Sequence, residues 1–268
     1  MIDKTTMIDR TAIIDPSAQI AEDAIIGPNV IIGKNVKIGS KTRVVASAYI
    51  EYAEIGEGCT ISPFATIGTE PQDLGYNGEE TKVVIGDGVI IKENVTIHRA
   101  AACGDFTTHI GKKCLLMVGS HVAHNCVLED EVILANLVTL GGHVHVGFGA
   151  FVGGMGVYHQ NIRIGKMAII SGFSAARQDI LPYSKADGRP VISVGVNVIA
   201  LKRRGVSQED RTIINEAFKI ITDEKLNTTQ SVEKIKQELP QNKYVDEMIE
   251  FIQTSKRGVG LRRIRETI

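Results

Sequence analysis

Every sixth residue between Ile110 and Ala176 is apolar. Ile110, Leu116, Val122, Leu128, Leu134, Leu140, Val146, Val152, Tyr158, Ile164, Ile170 and Ala176 form an aliphatic register interrupted only by one Tyr and one Ala. An amphipathic helix peaks at a spacing of about 3.6 and a half-buried strand at about 2, so neither explains a period of six. Four residues after each anchor the side chain is small or β-branched in nearly every repeat, as at Cys114, Ser120, Cys126, Val132 and Val138. Two inward positions per hexapeptide, one long and one short, suit a triangular prism with short parallel strands for faces and polar corners. The fold class is therefore an all-β solenoid, a parallel β-helix. Three hexapeptides close one coil, so residues eighteen apart stack at about 4.8 Å, the spacing of neighbouring strands.

The register starts early, at Ile14, Ile20, Ile26, Ile32, Ile38 and Val44. Gly27, Gly33 and Gly39 follow their anchors, where a sharply turning chain gains from a missing Cβ. After Ile50 the register slips by one and resumes at Ile55, Ile61 and Ile67, so one side of the prism holds five residues. The hexads break at TEPQDLGYNGEET and again around Ala100 to Thr108. External loops are expected there, near 69–82 and 100–108. The first offers Gln72 and Asp73 as paired donor and acceptor groups on a rigid scaffold.

After Pro182 the pattern dissolves into YSKADGRPVISVGVNVIALKRRG, read as an extended segment leaving the prism. Ser207 followed by Asp210 marks a capped helix start, and Ile213, Ile214, Ala217, Phe218 and Ile221 continue at helical spacing. Two further helical stretches follow, around Val232 to Leu239 and Val245 to Ile252. The expected organisation is a β-helix over 1–190, then an extended linker and a small α domain over 191–268. The basic end, with Lys256, Arg257, Arg262, Arg263 and Arg265, is either a solubilising tail or a dock for an acidic partner.

The formal charge of -1 supplies no basic excess, which argues against a general nucleic-acid binder. Trp is absent and Gly reaches 27, in keeping with narrow repetitive coils. The start, MIDKTTMIDR, lacks a signal-peptide layout, and no run approaches 18 apolar residues; a cytoplasmic protein without stable membrane insertion is expected. Of the four cysteines, Cys59, Cys114 and Cys126 fall in the small inward slot, which favours reduced core residues over redox or metal roles.

Stacking turns the sequence into a surface map. One coil above His124 lies Gly142, with His143 beside it; two coils above lies Gln160, with His159 beside it. His121 precedes His124 on the same coil. Four of the seven histidines thus fall into one patch within roughly 10 Å along the axis.

Taken with QDLGYNGE, TIHR, GSHVAHNC, LGGHVHVG, GGMGVYHQ and GVNVIALKRRG, the hexapeptides resemble the UDP-N-acetylglucosamine acyltransferase family, which begins lipid A synthesis. The resemblance covers essentially the whole chain. It implies a left-handed β-helix followed by a C-terminal helical domain, and a homotrimer with active sites in the clefts between prisms. It further implies transfer of a 3-hydroxyacyl group from acyl carrier protein to the glucosamine 3-position of the sugar nucleotide. The acyl-phosphopantetheine of the carrier protein is then a co-substrate, with no metal and no tightly bound cofactor.

His124 matches the family's catalytic base, and imidazole, with an ordinary pKa of about 6.5, suits that task. Gly142 matches the position whose backbone N–H serves the oxyanion. His121, His143, His159 and Gln160 are expected to position substrate, and Gln72 and Asp73 match residues used on the sugar. Asn197, Arg203 and Arg204 match positions near the UDP moiety, where a guanidinium fork suits phosphate. Gly172 holds the position that measures acyl length, and its missing side chain implies a longer chain.

Gly75, Ile199 and Asn125 depart from the family pattern, where many members have Lys, Glu and Asp. Three alternatives stand beside the main reading: N-acylation of a 3-amino sugar nucleotide, a zinc lyase of the carbonic anhydrase type, and a non-catalytic scaffold. The N-acylating enzyme later in the same pathway carries an amino-terminal uridine-binding domain, for which hexads starting by Ile14 leave no room.

Overall fold

The computed structural model describes residues 8–261, so Arg262, Arg263 and Arg265 of the basic end lie outside the described residues. Within this span the chain is a left-handed parallel β-helix followed by a small helical domain. Strands of mostly two residues pair with those one coil away: Leu115 with Ile133, Ile133 with Phe151, Phe151 with Ile169, each at the expected interval of three hexapeptides. Three sheets of nine, eight and ten strands result. They are called faces one, two and three in the order in which the chain visits them. The first corner joins faces one and two, the second joins two and three, and the third joins three and one.

The core follows from the period. All twelve anchors are buried, none more than 3% exposed, and each large aliphatic among them contributes about 1.5–3 kcal/mol. Tyr158 fits this aliphatic column because Gly156 leaves room: a Cβ there would lie 2.7 Å from the phenol oxygen. The register slip sits on face two, where Lys37 pairs with Glu54, one position short of a full circuit. The four cysteines are free, with Cys103 alone exposed. Burial pushes the Cys114 and Cys126 thiols up to about 12, so neither is a nucleophile at neutral pH.

Gly27, Gly33 and Gly39 serve a different end from the one expected. A Cβ at Gly27 would lie 1.8 Å from the Val45 carbonyl oxygen of the next coil, so glycine there permits coils to stack. The left-handed turn falls two residues later, on Asn29, Asn35 and Lys41, at φ of 56°, 54° and 58°. Such a residue costs about 1–2 kcal/mol when it carries a Cβ, least for Asn.

The segment after Pro182 is extended but stays on the prism. Ser184–Gly188 pairs in parallel with Ile169–Ile170, and Val191–Val196 folds back antiparallel beside it, widening face three. Alternation explains this, because Ser184, Ala186, Val191 and Ser193 turn inward. Helix α1, Val198–Arg203, then starts where an extended chain was expected. Helix α2, Gln208–Ile221, begins at Ser207, whose Oγ accepts from the Asp210 amide at 2.9 Å. Helices α3, Thr228–Glu238, and α4, Lys243–Gln253, complete the bundle. A second core containing Ile214, Phe218, Met248 and Ile252 closes onto Leu181 and Tyr183 of the prism. Arg163 fastens the junction, with Nε 2.9 Å from Asp179 and its guanidinium 4.1 Å from the Phe251 ring centre.

Candidate active site

Both external loops leave the prism at the first corner. Residues 70–81 run from Thr66–Thr69 on face one to Lys82–Ile85 on face two, and residues 99–106 from Thr96–His98 to Thr107–Ile110. His124 occupies the same corner one coil above the second loop, with Gly142 and Gln160 on the following coils. The column read from the stacking rule and the two breaks in the hexads therefore meet at one edge.

His124 is 9% exposed, and its Nδ1 lies 2.9 Å from Asn125 Oδ1. The Asn125 amide is oriented by the second loop. Its oxygen also accepts from the Ala101 amide at 2.9 Å, while its nitrogen donates to the carbonyls of Ala101 at 3.3 Å and Cys103 at 2.9 Å. With Oδ1 as the acceptor, the proton of neutral His124 sits on Nδ1 and Nε2 carries the lone pair. That lone pair faces Gly142, where an added Cβ would lie 2.5 Å from both Nε2 and Cε1. The Gly142 N–H makes no backbone hydrogen bond among the described residues. A proton acceptor and a free backbone donor thus stand side by side, which is the pair an acyl transfer requires.

His143 continues the patch. Its amide donates to the His124 carbonyl at 3.0 Å, and its ring meets His124 edge to face at 5.3 Å. Burial and then the neighbouring His124 lower its pKa, against an opposing pull from Asp73 of the first loop. His121 accepts or donates at Nδ1 with Thr96 Oγ1 at 2.7 Å, and burial and then His124 lower it too. His159 is exposed and turns toward the helical domain, with Arg257 Nη2 3.0 Å from its Nδ1. Gln160, Gln72 and Asp73 are exposed, and Asp73 Oδ1 accepts from the Gly75 amide at 2.9 Å.

Sequence arithmetic misses His98. The inserted loop makes Thr96 pair with His121, well beyond the usual interval of three hexapeptides, so the stacking rule never links them. The His98 ring meets His121 edge to face at 4.9 Å, and its buried Nδ1 has no partner among the described residues. Burial, then His121, His124 and Arg99, lowers it from 6.5 to about 4. The unfolded chain therefore binds this proton first, so the stability is complete above about pH 6.5 and is lost as pH falls toward 4. His98→Gln is expected to remove about 3 kcal/mol of the stability lost between about pH 6.5 and 4, read from urea melts at stepped pH. Identical slopes in the two proteins would remove the assignment.

The remaining expected residues lie elsewhere on the prism. Arg203 and Arg204 line a groove of about 720 Å³ on face three, floored by Leu115, Ile133, Phe151 and Ile169. Arg204 pairs with Glu131 and stacks on Phe148 at 4.8 Å, whereas Arg203 has no ion pair among the described residues. Asn197 is buried as the cap of α1, accepting from the Ala200 amide at 3.2 Å and donating to the Met167 carbonyl at 2.9 Å. Gly172 is exposed at the third corner beside Phe173. Within one chain all of face two separates His124 from the arginine groove.

A model of the second domain of UDP-N-acetylglucosamine O-acyltransferase matches residues 179–260, and one of the GMPPB C-terminal domain matches 8–103. The acyl-[acyl-carrier-protein]–UDP-N-acetylglucosamine O-acyltransferase of Thermodesulfovibrio yellowstonii is 47% identical over 219 residues, covering 81% of this chain and 85% of that protein. The chain belongs to this acyltransferase family. Among solved structures, LpxA from Acinetobacter baumannii is 38% identical with a TM-score of 0.91, covering 94% of this chain and 99% of that one. LpxA from Bacteroides fragilis matches with the same identity, coverage and TM-score.

Family membership displaces the zinc-lyase and scaffold readings. Among the described residues no group of three or more His, Cys, Asp or Glu is arranged to hold a metal, and no helix is long and apolar enough to cross a membrane. The departures from the acyltransferase pattern have physical settings. Asn125 donates two hydrogen bonds to the second loop that Asp, an acceptor when ionised, could not make. Gly75 supplies only backbone to the first loop, its amide to Asp73 and its carbonyl to Asn77, and Ile199 presents an exposed apolar face on α1.

Proposed function

We propose that the protein transfers a 3-hydroxyacyl chain from acyl carrier protein to the 3-hydroxyl of UDP-N-acetylglucosamine, the first step of lipid A biosynthesis. The observation that carries this reading is His124 Nε2, unprotonated in the tautomer set by Asn125 and next to the free Gly142 N–H. Nε2 takes the hydroxyl proton as the sugar oxygen attacks the thioester carbonyl. The Gly142 N–H holds the oxyanion of the tetrahedral intermediate. Collapse breaks the carbon–sulfur bond, and the imidazolium returns its proton to the departing pantetheine thiolate. The acyl-phosphopantetheine is consumed as a co-substrate, so the cycle needs no tightly bound cofactor.

Gln72, Asp73, His121, His143, His159 and Gln160 position the acceptor, and Arg203 and Arg204 hold the diphosphate. Asn197 acts by fixing the start of α1. Because the arginine groove and His124 lie on different sides of one prism, the reading places each site between copies in a homotrimer. A cytoplasmic address accords with four cysteines that remain free thiols.

Purified protein, UDP-N-acetylglucosamine and acyl carrier proteins loaded with chains of about ten and fourteen carbons supply the test. An ester that is cleaved by mild base, formed faster from the longer donor, is expected. Gly172→Met should reverse that preference, since a Cβ at Gly172 meets only Gly154 backbone, at 3.1 Å, and the longer side chain would take the space this reading gives to the end of the acyl chain. A base-stable product made from a 3-amino acceptor would move the assignment to amide formation.

A further inference from the structure

We infer that Arg99 is a positioning residue that clamps the first external loop in its acceptor-binding shape. The inference rests on the proposed role of Gln72 and Asp73 at the sugar. Arg99 follows the strand Thr96–His98, and its side chain is 6% exposed. On the prism side its Nη1 donates to the Gly68 carbonyl at 2.8 Å and to Glu51 at 3.1 Å. On the loop side its Nε donates to the Tyr76 hydroxyl at 3.0 Å and its Nη2 to Glu70 at 3.3 Å. The guanidinium also sits over the rings of Tyr52, at 4.5 Å, and Tyr76, at 5.4 Å.

The two loop partners bracket the stretch that matters. Glu70 and Tyr76 stand on either side of Pro71–Gly75, the arch that carries Gln72 and Asp73. Among the described residues every other hydrogen bond of residues 70–79 stays inside the loop: Gly75 to Asp73, Tyr76 to Asp73 and Glu79, Asn77 to Gly75 and Glu79. One cation therefore supplies the hydrogen bonds that tie the arch to the prism. The task suits arginine, whose planar fork offers five donors in fixed directions, where a lysine offers three from one point.

Tyr76→Phe and Glu70→Ala each remove one of the two loop-side hydrogen bonds and leave Arg99 paired with Glu51 and Gly68, so neither strands a buried charge. Each variant is expected to raise KM for UDP-N-acetylglucosamine on the order of tenfold, as loosened substrate alignment does. KM for acyl carrier protein and the melting temperature should stay at their wild-type values. Hydrogen exchange on the substrate-free protein provides a readout independent of turnover, with the amides of 72–78 exchanging faster in both variants. Unchanged exchange with unchanged acceptor KM would overturn the clamp, as would an equal loss for both substrates accompanied by a lower melting temperature. Faster exchange in a protein whose wild type does not use UDP-N-acetylglucosamine would keep the tether and overturn its role at the acceptor.

Discussion

His124→Ala is expected to leave a folded oligomer whose acyl transfer has fallen by about 10²–10⁴-fold, the range a positioned general base contributes. The imidazole sits at a corner, outside the aliphatic column that stabilises the coils, so the fold should survive its removal. The loss should appear in kcat, with KM for the sugar nucleotide little changed, because the proton moves only on the way to the transition state. Co-refolding His124→Ala chains with Arg203→Ala/Arg204→Ala chains extends the test. A site built between copies regains activity in mixed oligomers, since some clefts then hold an intact His124 opposite intact arginines. Retention of more than a tenth of the wild-type rate by His124→Ala would end the assignment of the base.

Gly142→Ala should be nearly as damaging by a different route. The backbone there lies outside the left-handed region, so alanine is allowed, but its Cβ would come within 2.5 Å of Nε2 and Cε1 of His124. The imidazole is the end of a side chain and can swing away. The loss of stability is therefore small, whereas a base displaced by about 1 Å loses on the order of 10²-fold in rate. The Gly142 N–H survives the substitution, so the loss reports on the base rather than on the oxyanion donor. Steady-state kinetics beside a thermal melt checks this, and a variant that keeps wild-type kcat would mean that His124 does not act at this wall.

The coils and the His124 column are legible in the sequence because both follow from counting. Two inward slots in every six residues dictate the prism, and steps of eighteen place Gly142 and Gln160 above His124. Counting fails once a loop is inserted. His98 and Arg99 stand where the step to the next coil is lengthened by the second loop, so neither can be projected onto the site, although TIHR is visible as a motif. The bonds of Asn125 depend on the path of residues 99–106, which have no period to read. Gly27 misleads for a related reason: its constraint comes from a carbonyl one coil away, not from its own turn. The hairpin and α1 stay hidden because the alternation of Ser184 and Ala186 is too short to separate from a departing linker.

A stack in which each storey touches only the one above and the one below can gain or lose whole storeys. The proposed catalytic corner depends on the storeys carrying the two loops and on those holding His124, Gly142 and Gln160. The lower flights, from Ile14 to Val44, act as a plinth: they set the height of the molecule and bury the underside of the working section. Insertions of a complete circuit in the plinth would leave the chemistry in register, and a change of one residue can be taken up within a single side, as the five-residue side between Lys37 and Glu54 already shows.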